Sequence, residues 1–340
     1  MARVRMSIEH YLARWLPAVE DEMRAIVAAP DLHAFAGLYG MIYYHLGWAD
    51  ADFNPASIPA GKRIRPMLCL LACEAAGGDP DAALPAAAAV ELLHNFSLVH
   101  DDVEDGSELR RGRPTLWKVW GVPKAINAGD TLLSAAHSAF HRLRDRGVPA
   151  DRQARAYLRF CQTCARLTHG QHLDLDFESR DGVTVDEYID MIEGKTAALL
   201  AGAAAIGAII AGSDDDHRFA EFGLKLGLAF QIQDDLLGVW GDPEVTGKPA
   251  ADDIARRKKS LPVLYGLGNS RELRELYAAP EIDVEKSVEL LEQVGAKEYA
   301  SNMAYDYTQQ AMAALDEAAP QGEAGIGLRE LATSLLGRTA

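Results

Sequence analysis

Two aspartate clusters hold the residues whose types and spacing could do chemistry. The first reads Leu98-Val99-His100-Asp101-Asp102-Val103-Glu104-Asp105 and runs on to Arg110-Arg111-Gly112-Arg113-Pro114. The second reads Phe230-Gln231-Ile232-Gln233-Asp234-Asp235-Leu236-Leu237-Gly238. Both end apolar stretches with helical spacing, and carboxylates on apolar helices are costly to bury unless a cation or partner offsets the charge. Acid at a helix C-terminus also opposes the macrodipole, so a merely solvated helix end explains the first cluster poorly. Asp101 and Asp105 stand four residues apart, about 6 Å on one helix face, with Asp102 beside them. Such a set suits magnesium, which takes one or two carboxylates and completes its shell with water and phosphate oxygens.

Cationic islands accompany the acids. They are Gly61-Lys62-Arg63-Ile64-Arg65-Pro66, Arg110 with Arg111 and Arg113, Lys195-Thr196, Gly247-Lys248, and Arg256-Arg257-Lys258-Lys259. Arginine offers phosphate a planar fork and lysine a point charge. Any one island reads as plain surface. Their joint occurrence with two aspartate clusters is the specific signal, and it points to a diphosphate held with hard cations.

The elements that must position these groups read as helices. Periodicity of 3.6 residues runs nearly throughout, and alternating strand patterns are scarce. Glycine and proline divide the chain into segments of helical length. The clearest is Ala86 to Asp105, with Gly106 as a natural stop. Ala150 to Glu178 and Asp214 to Trp240 look alike, and Ala197 to Gly212 is apolar all round, as a central bundle helix would be. Ile8, Tyr11, Leu12, Trp15, Leu16 and Val19 mark an amphipathic first helix and not a signal peptide. We read an all-α, single-domain helical bundle, with residues 1-60 as an N-terminal helical region packed on the same domain as a core at 61-340.

Bulk properties narrow the partners. The 340 residues carry a formal charge of −16, which argues against nucleic acid. No apolar run approaches the roughly 20 residues of a membrane span, and a cytoplasmic location is expected. Cys69, Cys73, Cys161 and Cys164 lack paired zinc spacing and read as buried reduced thiols. His169 and His172 have no ligand partners at metal spacing either.

The same residues resemble the trans-polyprenyl diphosphate synthases. The first aspartate-rich motif of that family appears as Asp101-Asp102-Val103-Glu104-Asp105 with Arg110 to Thr115 behind it. The Gly61 to Pro66 island looks like its substrate-binding entry. Gly129-Asp130, Gly170-Gln171-His172-Leu173-Asp174-Leu175, Lys195 to Leu199, the second aspartate cluster, Gly247-Lys248 and Lys258 to Pro262 follow in the family's order. One departure stands out: the second motif usually ends in Asp, and here Gly238 holds that place.

The resemblance implies a bundle around a deep central cavity, a homodimer, and about three magnesium ions. Asp101 and Asp105 would ligate two ions with Asp102 supporting, and Asp234 a third, assisted by Asp235. The allylic diphosphate (C5, C10 or C15) would meet Arg110, Lys195, Thr196, Gln231, Lys248 and Lys258. Isopentenyl diphosphate would meet Lys62, Arg65, His94 and Arg111. The reaction would be ionisation of the allylic diphosphate, attack by the second substrate's double bond, and loss of a proton. Lys195 and the aspartates Asp101, Asp102, Asp105, Asp234 and Asp235 would carry the catalytic charge.

Product length would be set just upstream of Asp101. Ser97 shares the face of Asp101, and Phe96 lies about 7.5 Å below it along the axis. An aromatic there with an uninterrupted motif looks like a geranylgeranyl (C20) producer, with farnesyl (C15) the nearest competitor. A terpene cyclase and a non-catalytic partner subunit are the readings from other classes. Two basic sets and intact acids speak against them.

Overall fold

The computed structural model describes residues 8–28, 32–58, 61, 63–242 and 251–337. The chain forms two compact units: Met1–Gln162 with Ala203–Asp216 and Pro320–Leu328, and Thr163–Gly202 with His217–Ala319 and Arg329–Ala340. The all-α expectation holds. The strands among the described residues are one two-residue pair.

The first unit is built from α1 (Ile8–Ile26), α2 (Leu32–His45), α3 (Ile64–Ala75), α4 (Pro80–Glu104), the hairpin β1–β2 (Leu109–Arg110, Arg113–Pro114), α5 (Leu116–Trp120) and α6 (Val122–Ala139). Helix α4 is its axis, packing on α6, α3 and α1. It starts earlier than the sequence suggests. Asp79 caps it by accepting from the Asp81 N–H at 3.0 Å, and Pro80 occupies the first turn, where its missing donor costs nothing. Tyr11, Trp15 and Val19 of α1 are buried, as the amphipathic pattern requires.

Helix α7 (Ala150–Ser179) matches its predicted span within a residue. It is followed by α8 (Val185–Ile192), a π-helical turn at Glu193–Ala197, α9 (Ala198–Ala211) and α10 (Asp216–Trp240). Then come α11 (Asp252–Ala255), α12 (Leu261–Asn269), α13 (Arg271–Ala278), α14 (Val284–Gln293), α15 (Ala296–Glu317) and α16 (Gly322–Leu336). In the second unit, Phe177, Tyr188, Ile192, Leu228, Ile232 and Leu261 belong to one buried apolar cluster.

Two expectations change. Pro80–Glu104 and Val185–Ala211 are long and apolar enough to cross a membrane by length and composition, but most of each window is buried inside the protein. Polar side chains had masked this: Glu91, Asn95 and Asp102 interrupt the apolar run of α4, and each is buried. Cys69 and Cys73 are buried as expected, whereas Cys161 and Cys164 are only half-buried. None of the four is in a disulfide.

Candidate active site

The last turn of α4 presents the first acidic cluster. Within the Asp-Asp pair the two side chains divide. Asp102 is buried at 2% exposure, while Asp101 is half-buried and Asp105 exposed. Asp105 caps the helix, its N–H bonding the Asp101 carbonyl at 2.9 Å. The β1–β2 hairpin brings the partner cation. Its two-residue loop, Arg111-Gly112, has φ of 53° and 74°, and such primed turns require positive φ at both positions. Arg110 then donates from Nε to Asp102 at 2.7 Å and from Nη2 to Asp101 at 3.3 Å. Burial pushes the Asp102 carboxyl up to about 6, against the lowering pull of Arg110.

Behind this corner lies the second cationic set. Arg65 Nη1 donates to His94 Nε2 at 3.3 Å, and since guanidinium has no acceptor, the His94 proton sits on Nδ1. Burial, then Arg65, Arg111 and Arg110, hold His94 well below its usual range, so the ring is neutral. Arg63, in the left-handed region at the start of α3, is buried. It bonds Glu20 at 2.8 Å and Glu91 at 2.7 Å. Trp48 Nε1 donates to the same Glu20 at 2.7 Å. Arg63 is therefore an anchor that fixes the entry of α3. Lys62 and Lys248, both expected to bind diphosphate, lie outside the described residues.

A small pocket beside the pair is lined by Tyr44, His45, Asp102, Arg110, Arg111 and Arg113, among others. Arg113 serves its wall, bonding the Tyr44 and Ala49 carbonyls at 3.0 and 3.1 Å and lying over the Tyr44 ring. His45 was not anticipated. Burial, then the surrounding arginines, drop its imidazole to about 3, and its Nε2 is buried without a hydrogen bond.

The second acidic cluster repeats the division on α10. Asp234 is exposed and Asp235 is buried at 1%. Here neutral donors satisfy the buried acid. It accepts from the Tyr188 hydroxyl, from the Leu261 N–H at 2.9 Å, and from Gln231 Nε2 at 3.1 Å. Thr196 donates to Gln231 at 2.8 Å, tying the π turn to the same network. Burial raises Asp235 to about 6, opposed chiefly by Lys258. Burial pulls Lys258 down, but Asp235, Asp253, Asp174 and Asp234 outweigh it and the ammonium ends above its usual range. Lys195, on the π turn, pairs with Asp174 of α7. A side chain at Gly170 would strike the Lys195 N–H at 2.0 Å, so this close approach requires glycine.

The basic run 256–259 sorts by partner. Arg257 holds the Tyr277 and Ala279 carbonyls and Lys259 holds the Phe177 carbonyl, so both brace loops. Arg256 pairs with Asp252, four residues back, on the surface. Lys258 is the member that faces the acids. Gly238, the departure from the family pattern, has an explanation in space: a Cβ there would lie 2.2 Å from Asp253 Oδ2. Asp253 is itself buried at 7%.

Among the described residues no three His, Cys, Asp or Glu side chains converge as a ready metal cage. The donors fit magnesium all the same: they are hard carboxylate oxygens, the outer acid of each pair is more exposed than the inner one, and magnesium uses few protein ligands beside substrate phosphates.

Comparison with known proteins agrees with this chemistry. The sequence matches the family model for polyprenyl synthetases over residues 52–294. It is 47% identical over 289 residues to a geranylgeranyl diphosphate synthase of Mycobacterium tuberculosis, covering 82% of this chain and 81% of that one. It is also 47% identical over 246 residues to a (2E,6E)-farnesyl diphosphate synthase of the same organism, covering 72% and 67%. A crystal structure of a polyprenyl synthetase from Streptomyces coelicolor superposes with a TM-score of 0.88 at 36% identity, covering 97% of this chain and all of that one.

Proposed function

The chain belongs to the polyprenyl synthetase family, and from that premise we propose that it makes geranylgeranyl diphosphate (C20) from isopentenyl diphosphate and a shorter allylic diphosphate. The protein is a magnesium-dependent, chain-elongating prenyltransferase. The observation that carries the site assignment is the repeated division of each Asp-Asp pair. One acid turns inward to hold a loop, and its neighbour is the more exposed of the two.

On this reading Asp101, Asp105 and Asp234 hold about three magnesium ions. When bound, those ions supply positive charge against the diphosphate oxygens. Asp102 and Asp235 act indirectly, fixing Arg110 and the Leu261 N–H. Lys195, Thr196, Gln231 and Lys258 in the second unit face the allylic diphosphate. Arg65 and Arg111, with neutral His94, hold the diphosphate of isopentenyl diphosphate in the first. Fixed cations favour departure of the allylic diphosphate because charge grows there as the bond breaks. The apolar walls of the helices keep water from quenching the cation. We place the protein in the cytoplasm as a homodimer.

Phe96 supports C20 as the floor of the growing tail, with Ser97 leaving room beside it. The 47% identity to a farnesyl diphosphate synthase makes C15 the second reading. Incubation of the purified protein with magnesium, isopentenyl diphosphate and C5, C10 and C15 primers, followed by mass analysis, decides between them. C20 is expected. A final product of C15, or of C30 and longer, overturns the chain-length assignment. Failure to consume isopentenyl diphosphate overturns the elongation reading. Phe96→Ala is expected to lengthen the product.

A further inference from the structure

Phe96 does not stand alone. One helical turn toward the motif on α4, His100 packs its ring on Phe96 with centroids 4.7 Å apart and planes inclined by 59°. The opposite edge of His100 meets α6. Its Nε2 lies 3.3 Å from the Ile126 carbonyl, and because a carbonyl only accepts, that nitrogen carries the proton and donates. The same nitrogen is 3.7 Å from Asp130 Oδ1. Between those two residues a Cβ at Gly129 would fall 2.3 Å from His100 Cδ2 and Nε2. The ring thus fills a socket formed by one turn of α6, and it can do so only because position 129 has no side chain.

We propose that His100 is a specificity-positioning residue, which from its own seat on α6 locks the Phe96 ring and so sharpens product length. The proposal rests on the reading of Phe96 as the floor. An aromatic side chain on a helix has two accessible χ1 wells, near 180° and −60°. A ring free to exchange between them would be a floor only part of the time, and each excursion would admit one more C5 unit. His100 removes that freedom by stacking, and its bond to the Ile126 carbonyl keeps His100 itself in place. The arrangement assigns a purpose to three residues that otherwise do nothing for the chemistry: His100, Gly129 and the Ile126 carbonyl. It also separates adjacent duties on α4, where Asp101 serves the metal and His100 serves the floor.

The test compares product ratios at matched conversion, because replacing a neighbour of Asp101 slows turnover whatever its role. His100→Ala is expected to raise the ratio of the next longer product to the normal one about three- to tenfold, the ratio an aromatic pair of ordinary strength sustains. Gly129→Ala, which drives a methyl group into the His100 ring from the other helix, is expected to shift the ratio in the same direction. His100→Gln keeps a donor for the Ile126 carbonyl but has no ring. It should behave like His100→Ala, and it serves if the alanine variant fails to fold. Phe96→Ala/His100→Ala should give the product of Phe96→Ala alone. If Phe96→Ala lengthens the product while the His100 and Gly129 variants keep the wild-type ratio, the floor stands and the buttress is wrong. If Phe96→Ala itself changes nothing, the floor reading has failed and the buttress goes with it.

Discussion

The two acidic clusters place their side chains alike and neutralise the buried one differently. In each pair the second aspartate is sealed from water and is raised to about pKa 6 by burial, while the first is more exposed, half-buried at Asp101 and open at Asp234. Asp102 is offset by a full charge, the Arg110 guanidinium from a hairpin eight residues on. Asp235 is offset by dipoles from the Tyr188 hydroxyl, the Leu261 N–H and the Gln231 amide, with Lys258 as the nearest cation. A charged partner fixes an arginine side chain beside the acid. A set of neutral donors ties down backbone. The first cluster therefore positions an arginine side chain, and the second fixes backbone at the start of α12.

Removing the outward acids is the hardest blow to this comparison. Asp101→Ala is expected to lower kcat by about 1000-fold or more, and Asp234→Ala by about 100-fold, as the proposed two ions at the first cluster and one at the second require. Steady-state kinetics at saturating magnesium measures both. Equal losses would mean that the clusters share their ions evenly. Asp234→Ala should not shift the melting temperature by more than a few degrees, because that side chain is exposed, whereas Asp101→Ala also removes the half-buried pair with Arg110.

The inward acids should show the opposite pattern. Asp235→Asn turns an amide N–H toward groups that donate, leaving a buried donor unmet, and is expected to cost about 2–3 kcal/mol of stability. Asp102→Asn should cost less stability, about 1 kcal/mol, because Arg110 is part-exposed and water can take over. Its main effect should be a raised KM for substrate. Urea unfolding of the two variants side by side tests the claim. An Asp102 variant less stable than the Asp235 variant would reverse the assignment.

Much of this was legible in the sequence because it is local. Helix α7 and the end of α4 follow from periodicity and from Gly106, and the i, i+4 acids follow from helix geometry. The start of α4 was missed because Pro80 read as a breaker, although proline is at home in a first turn, and because the helix runs on through Pro85 in its interior. What sequence could not show are pairs that close over long separations. Glu20 reaches Arg63 across 43 residues, and Tyr188 reaches Asp235 across 47. His45 has no local mark at all. Its character comes from burial first, and then from arginines on the hairpin and on the segment before α3. Buried polar partners of this kind are chosen by the fold, and nothing in spacing announces them.

Gly238 belongs to that class. Read alone it is a lost acid, but in space it is the room that Asp253 fills. Gly238→Ala should therefore destabilise by about 1–3 kcal/mol, as overpacking does, rather than act as a neutral helix substitution. Gly238→Asp, which restores the family's usual residue, should be worse than alanine, because it sets a carboxylate against a carboxylate. Gly238→Asp paired with Asp253→Ala should recover part of the loss. If Gly238→Asp is as stable as the parent, the two positions do not compete.

The effect that needs a change of pH to be seen concerns His45, which distinguishes the first cluster from the second through its response to acid. Its folded pKa of about 3 lies below the unfolded value of 6.5, so below pH 6.5 the unfolded chain gains a proton that the folded one refuses. Stability from this group is complete above pH 6.5 and declines as pH falls toward 3. At pH 5.5 the loss is about 1.4 kcal/mol. Asp102 and Asp235, raised to about 6, have the reverse sign and favour the folded state as pH drops through the same window. The wild-type slope is thus a mixture, and the informative quantity is a difference. Between pH 7.5 and 5.5 the wild type should lose about 1.4 kcal/mol more than His45→Asn in urea unfolding. Parallel pH profiles for the two proteins would show that His45 titrates normally and that the arginines around it do not hold it neutral.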